Sequence, residues 1–70
     1  MVEVFKTNVR RAAAAKEILA VLQRNFPGSK INFDLEDCDK VLRVEGNDFL
    51  PGKIVMLVNE NGFQCHVMED

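Results

Sequence analysis

The segment from Thr7 to Phe26, TNVRRAAAAKEILAVLQRNF, constrains the fold most, because it is the longest helix-forming run in the chain. Four consecutive alanines strongly favour a helix. Thr7 or Asn8 is predicted to cap the start by accepting a backbone N–H bond. The Pro27-Gly28 pair is expected to end the segment. The sequence therefore predicts one long helix over residues 10–26.

Apolar residues recur through this helix at the spacing of a single helical face. They are Ala14, Ile18, Val21, Leu22 and Phe26. We expect this stripe to pack on a sheet, where the small alanines allow a close approach. Arg10 and Arg11 lie beside the positive end of the helix dipole, a position that disfavours cations. They are expected to face solvent or an anionic partner.

The first strand is predicted over Val2–Phe5, where apolar and charged residues alternate. We expect Val2 and Val4 to face the core. Because neighbouring side chains of a strand point to opposite faces, this parity places Phe5 on the other face.

Two further alternating runs, Lys30–Glu36 and Val41–Glu45, are joined by a polar segment around Cys38 and are predicted to form a hairpin. The last strand is predicted over Phe63–Met68. The residues expected to face the core are Ile31, Phe33, Leu35, Leu42, Val44, Phe63, Cys65 and Val67.

A second helix is predicted over residues 49–61, capped by Asn47 or Asp48 and with Pro51 in its first turn. Gly62 is expected to end this helix in the left-handed conformation. Its core stripe is predicted to consist of Leu50, Ile54, Leu57 and Val58.

The element order is strand, helix, strand, strand, helix, strand. Right-handed crossovers then predict an α+β, ferredoxin-like βαββαβ fold. Its antiparallel sheet has the order 4-1-3-2, with both helices on one face. We expect residues 1–70 to form a single domain. The turn after the first strand, the hairpin at Cys38 and the turn before Phe63 should meet at one end.

Composition excludes several classes of function. The formal net charge of −2 provides no basic face for nucleic acid, and no run is apolar enough to span a membrane. There is no signal-peptide pattern, so we expect a cytoplasmic protein. One histidine, two unrelated cysteines and no glycine-rich phosphate loop give no catalytic constellation. We therefore predict that the chain is not an enzyme.

The chain resembles the heavy-metal-associated domain of small copper chaperones and metal-ATPase modules. The likeness rests on VEVF, the ILAVL stripe, INFDLED followed by VLRVEG, and NGF before the last strand. It covers nearly the whole chain. The resemblance implies a metal loop of the pattern GMTCxxC at the first helix, whose two thiolates bind a soft ion such as copper(I).

This chain departs from the family at that loop. The corresponding stretch, Thr7–Ala14, reads TNVRRAAA and contains no cysteine. Cationic side chains at Arg10 and Arg11 would repel a metal ion. Phe63 matches an aromatic near the family's metal loop, although packing explains it equally well. No metal ligand is carried over from the family.

Three other residues are weak candidates for metal binding: Cys38 at the hairpin, and His66 and Met68 on one face of the last strand. Cys65 and His66 are sequence neighbours, so strand parity directs them to opposite faces. We expect Cys65 to be a core residue.

The main hypothesis is a non-catalytic protein-interaction module without a cofactor, acting with a protein partner or as a homodimer. Its predicted partner-binding residues are Asn8, Arg10, Arg11, Val55, Met56 and Phe63. The cations can meet an acidic patch, and the apolar pair on the second helix suits self-association. The alternative is a divergent copper(I) or zinc carrier that uses Cys38, His66 and Met68.

Overall fold

The computed structural model describes residues 1–68, so positions 69 and 70 of the predicted domain lie outside the described residues. Four strands form one antiparallel sheet in the order β2-β3-β1-β4, which is the predicted order read from the opposite edge. The ferredoxin-like βαββαβ fold is therefore confirmed. In chain order the elements are β1 (Val2–Thr7), α1 (Ala12–Asn25), β2 (Lys30–Asp34), β3 (Val41–Glu45), α2 (Pro51–Glu60) and β4 (Cys65–Val67).

The core lies between the sheet and the two helices. In the sheet, Phe5 of β1 pairs with Leu42 of β3 on one side and with Val67 of β4 on the other. Val67 was predicted to face the core but is 41% exposed, because β4 is an edge strand. Ile31 pairs with Val44 in the β2–β3 hairpin, and both side chains are buried, as the alternation predicted. The buried apolar side chains are Phe5, Val9, Ala15, Ile18, Leu22, Ile31, Leu42, Val44, Phe49, Ile54, Val58 and Cys65.

The predicted parity of β1 was wrong. Phe5 is fully buried, whereas Val2 is 44% exposed. The buried positions are Phe5, Thr7 and Val9, which follow one another at the strand period of two. An aromatic ring removes more apolar area from water than a valine does, so the register that buries Phe5 is favoured.

Helix α1 begins at Ala12, two residues later than predicted. Its N-cap residue is Arg11 in an extended conformation, without a side-chain cap bond. The capping role predicted for Thr7 or Asn8 was wrong, because both side chains bond to other segments. Of the predicted stripe, Ile18 and Leu22 are fully buried, and the other three are half-buried: Ala14, Val21 and Phe26.

Helix α2 begins at Pro51, after an N-cap at Leu50 that has no side-chain cap bond. Asn47 and Asp48 therefore do not cap it. Leu50 was predicted to face the core but is 75% exposed, while Phe49 is only 5% exposed. Leu50 lies before the first helical turn, where helical spacing does not apply, so the preceding residue enters the core instead.

The hairpin and the last strand are shorter than predicted. Strand β2 ends at Asp34, whose side chain accepts a bond from the backbone N–H of Glu36 and so starts the turn. Strand β4 spans only Cys65–Val67. Gly62 has φ of +91°, which confirms the left-handed residue expected after α2. Neither helix within residues 1–68 is long and apolar enough to cross a bilayer.

Candidate functional site at the loop end

The first loop, residues 8–11, is fixed to the β2–β3 hairpin by Thr7. The Thr7 hydroxyl donates to the Lys40 carbonyl at 2.6 Å and accepts from the Val9 N–H at 3.2 Å. The Thr7 N–H also donates to the Asp39 carbonyl at 3.1 Å. Because Thr7 is buried, water competes little for these bonds. The loop therefore enters α1 from a fixed position.

Asn8 joins the same loop to the segment that precedes β4. Its side-chain oxygen accepts a hydrogen bond from the Gln64 N–H at 2.8 Å. Together with the Thr7 bonds, this contact brings the first loop, the hairpin turn and the approach to β4 to one end of the sheet. We call this region the loop end. The meeting of the three segments agrees with the prediction from topology.

The hairpin turn is organised by its own polar groups. Lys40 has φ of +49°, in the left-handed region, and its ammonium donates to the Leu35 carbonyl at 2.9 Å. The Asp37 side chain accepts from the Asp39 N–H at 2.9 Å. Lys6 and Asp39 form an ion pair at 3.5 Å. These contacts leave the Cys38 side chain exposed at the tip.

Two hollows adjoin at the loop end. The first, of about 490 Å³, has a mixed polar and apolar surface and is lined by Thr7, Asn8, Arg10, Cys38 and Lys40. Cys38, the one thiol among these lining residues, shares the hollow with two cationic side chains and one amide. This environment differs from the paired thiolates that hold a soft ion.

The second hollow, of about 420 Å³, has a mainly apolar surface and is lined by Asn8, Arg10, Arg11, Ala14 and Phe63. We call it the arginine groove. Four predicted partner-binding residues thus come together in one groove. Ala14, which the sequence assigned to the core stripe, is half-buried and contributes to the groove floor.

The other two predicted partner-binding residues lie on α2 and line neither hollow. Met56 is 44% exposed and Val55 is half-buried. Val55 also packs against the core, so Met56 is the more accessible of the pair. The structure therefore divides the predicted partner-binding residues into two surfaces, the arginine groove and the α2 flank.

Cys38 belongs to one cluster of potential metal ligands. Single ligand atoms of Asp37, Cys38 and Asp39 lie within 4.8 Å of one another. One thiol and two carboxylates do not fit copper(I), which prefers soft sulfur ligands. Both carboxylates also have other partners. The Asp37 carboxylate accepts a hydrogen bond from the Asp39 N–H, and the Asp39 carboxylate pairs with the Lys6 ammonium. A harder ion such as zinc suits this donor set better.

His66 and Met68 do not extend that cluster. His66 is exposed and lies opposite Lys6 in the β1–β4 pairing, and it is outside the group of convergent ligand atoms. Met68 follows β4, where its N–H donates to the Val4 carbonyl. The group of convergent ligand atoms that contains Cys38 therefore does not include His66.

Cys65 is a core residue, as predicted, while its neighbour His66 is exposed. Burial removes water from the thiol and raises the pKa of Cys65 to about 11. At neutral pH this side chain is a protonated, apolar group, which is neither a nucleophile nor a metal ligand.

Sequence reasoning missed the structural roles of Thr7 and Lys40. Thr7 was interpreted as a helix cap, and Lys40 as one residue of a polar turn. The available signal for Thr7 was its position two residues after Phe5, which places both side chains on the same face of β1. No sequence signal marked Lys40, because a left-handed lysine has no residue-type signature.

Comparison with solved structures supports the fold. No protein-family model matches the chain, and no curated protein matches its sequence. The chain is similar in structure to the yeast copper transporter domain Ccc2A, which was solved in solution in the apo and Cu(I)-loaded states. The two superpose with a TM-score of 0.81 at 17% identity, over 99% of this chain and 96% of that domain. At this identity the likeness establishes that the chain has the fold of a copper transporter domain.

Proposed function

We propose that this chain is a non-catalytic protein-interaction module on a heavy-metal-associated scaffold, and that it acts in the cytoplasm without a thiolate metal site. The observation that carries this proposal is the loop before α1. It contains Arg10 and Arg11 and no cysteine, although the surrounding fold is that of a copper transporter domain. Two guanidinium groups favour an anionic surface over a metal cation.

The rigidity of the loop end supports this role. Bonds from Thr7 to the hairpin and from Asn8 to Gln64 hold the loop in place before any partner arrives. A surface that is already ordered loses less conformational freedom on association, so more of the contact energy appears as affinity. The arginine groove is thus suited to recognition.

The α2 flank supports a second contact. Met56 is exposed on a helix whose inner face, Ile54 and Val58, is fully buried. Burial of exposed apolar area contributes about 25 cal/mol per Å² to association. A second copy or a partner protein that covers Met56 would therefore gain stability from this contact.

The absence of catalysis is part of the proposal. Within residues 1–68 no group of three or more convergent His, Cys, Asp or Glu side chains contains both Cys38 and His66, and Cys65 is buried and protonated. General acid–base or nucleophilic catalysis needs such groups within hydrogen-bond reach of one another.

Association of the purified chain and recovery of a partner on native affinity capture test the proposal. We expect the complex to be weakened by Arg10→Glu with Arg11→Glu, and also by Met56→Glu. The thermal unfolding of the chain itself should stay unchanged. The matched control is Arg24→Glu with Lys30→Glu, which makes the same charge change on exposed residues outside both surfaces. A monomer at all concentrations, with no recovered partner and tight metal binding, would instead support the carrier function below.

A second candidate function is a divergent metal carrier. The converging ligand atoms of Asp37, Cys38 and Asp39 are the observation that favours it. The carrier hypothesis predicts that the reduced protein binds zinc at a stoichiometry near one in calorimetric titration. Cys38→Ser should then reduce the affinity strongly, and His66→Ala should show whether the histidine contributes.

A further inference from the structure

We infer that the arginine groove binds a short acidic segment of the partner protein, with one apolar side chain of that segment seated between Ala14 and Phe63. This inference rests on the proposed function and specifies the chemistry of the partner. Its basis is the combination of an apolar floor with a rim made of hydrogen-bond donors.

The polar side chains at the rim of the groove are mainly hydrogen-bond donors. Arg10 and Arg11 contribute guanidinium groups, which only donate. The side-chain oxygen of Asn8, its only acceptor, is engaged by the Gln64 N–H, so its amide NH₂ is the group left to contact a ligand. An occupant must therefore supply the acceptor atoms.

Both arginines are available for such an occupant. Within residues 1–68 the ion pairs are Lys6 with Asp39 and Arg43 with Glu45, so neither groove arginine is neutralised by an acidic side chain of the described chain. Guanidinium binds carboxylate through two parallel hydrogen bonds, which gives direction as well as attraction. Carboxylate groups are thus the best complement of this rim.

The start of α1 adds to the attraction for negative charge. No acidic residue is present in its first turn, and no side chain caps it. The first N–H groups of a helix have no intrahelical partner and carry the positive end of the dipole. A carboxylate of the occupant beside Arg11 would complement this positive end.

Because the floor of the groove is apolar, the bound segment needs an apolar side chain as well as acidic ones. Ala14 and Phe63 are half-buried and pack against the core, so they form a fixed surface. The hollow of about 420 Å³ lies within the range of specific ligand sites. Single-stranded nucleic acid would instead favour an extended basic groove, which a chain of net charge −2 lacks.

Fluorescence anisotropy with labelled peptides tests the inference. The probe is an octapeptide of alternating glutamate and leucine. Three comparison ligands are a lysine–leucine peptide, a glutamate–serine peptide and an oligothymidylate. We expect the glutamate–leucine peptide to bind at least about tenfold more tightly than each of the others, with an affinity that falls as salt rises.

Two pairs of variants locate the binding. Arg10→Glu with Arg11→Glu should lower the affinity about tenfold or more, and Arg24→Glu with Lys30→Glu should leave it within about twofold. Ala14→Leu fills the floor and should block binding. Ala13→Leu makes the same change at an exposed neighbour that does not line the groove and should have no effect.

Equal binding of the lysine–leucine peptide or of the oligothymidylate, or equal effects of the two members of a variant pair, would overturn the inference. Failure of the proposed function is distinguishable from this result. If a partner is still captured and Met56→Glu weakens it while Arg10→Glu with Arg11→Glu does not, the chain remains an interaction module but the arginine groove is not its acidic-segment site.

Discussion

The hydroxyl of Thr7 donates a hydrogen bond of 2.6 Å to the backbone carbonyl of Lys40, a residue 33 positions away in the chain. This bond connects the end of β1 to the β2–β3 hairpin. The same hydroxyl oxygen accepts a hydrogen bond from the Val9 N–H. One buried side chain thus holds the first loop in the conformation that presents Arg10 and Arg11.

Replacement of Thr7 by valine should destabilise the protein by about 1–3 kcal/mol, because the Lys40 carbonyl and the Val9 N–H would lose a partner. Urea unfolding measures this loss. Hydrogen exchange of the Val9 amide should also accelerate. Thr7→Ser, which keeps the hydroxyl, should preserve the protection of that amide. A valine variant with the same stability and protection as the serine variant would contradict this role of Thr7.

The raised pKa of Cys65 predicts a loss of stability at alkaline pH. The thiol has a pKa of about 11 in the folded protein, against an ordinary value of 9.0 when it is exposed to water, so the unfolded chain releases its proton first. Stability is complete below pH 9 and decreases from there to pH 11. Between pH 8 and pH 10 the wild type should lose about 1 kcal/mol more than Cys65→Ala does. An equal loss of stability with pH in the wild type and in Cys65→Ala would contradict this prediction.

Thiol labelling separates the two cysteines. Cys38 is exposed and Cys65 is buried, so one equivalent of a thiol reagent should react with the folded protein and two with the denatured protein. In Cys38→Ser the folded protein should show no rapid reaction. Fast modification of that variant would show that Cys65 is accessible.

The start of α2 provides a test of which apolar residue enters the core. Phe49→Ala should cost about 3–5 kcal/mol, because a nearly fully buried ring is removed. Leu50→Ala should change stability by no more than about 0.5 kcal/mol, since its side chain is 75% exposed. Thermal or urea unfolding measures both. Similar losses for the two variants would contradict the observed register.

Two glycines should respond to alanine in opposite directions. A Cβ added at either Gly52 or Gly62 meets no atom within 4 Å, so only the backbone decides the sign. Gly52 lies in α2, where alanine should stabilise by roughly 0.5–1 kcal/mol. Gly62 has φ of +91°, where alanine should destabilise by roughly 1–2 kcal/mol. The same sign for both would contradict these local conformations.

The sheet could be predicted because its strands alternate clearly and its connections have a preferred hand. Ile31, Leu42 and Val44 are buried as expected. The errors arose where local patterns were consistent with two arrangements. Alternation in β1 permits either parity, and only the packing of Phe5 against Leu42 decides it. Helix caps were also mispredicted, because Thr7 and Asn8 bond to distant segments.

The candidate site was predictable to a similar extent. Topology placed the three loop-end segments together, and residue type selected Arg10, Arg11 and Phe63, whose role in partner binding stays a prediction. The separation of the arginine groove from Met56 on α2 depends on side-chain positions that sequence does not contain. The same holds for the bond between Asn8 and Gln64, which joins residues 56 positions apart.

Competition for copper(I) between the reduced protein and a chromophoric chelator tests most directly whether the scaffold functions without a soft metal. We expect the chelator to retain its copper(I), even when it is a weak competitor, and Cys38→Ser to give the same curve as the wild type. Withdrawal of about one equivalent of copper(I) by the wild type, abolished by Cys38→Ser, would contradict a function without a soft metal.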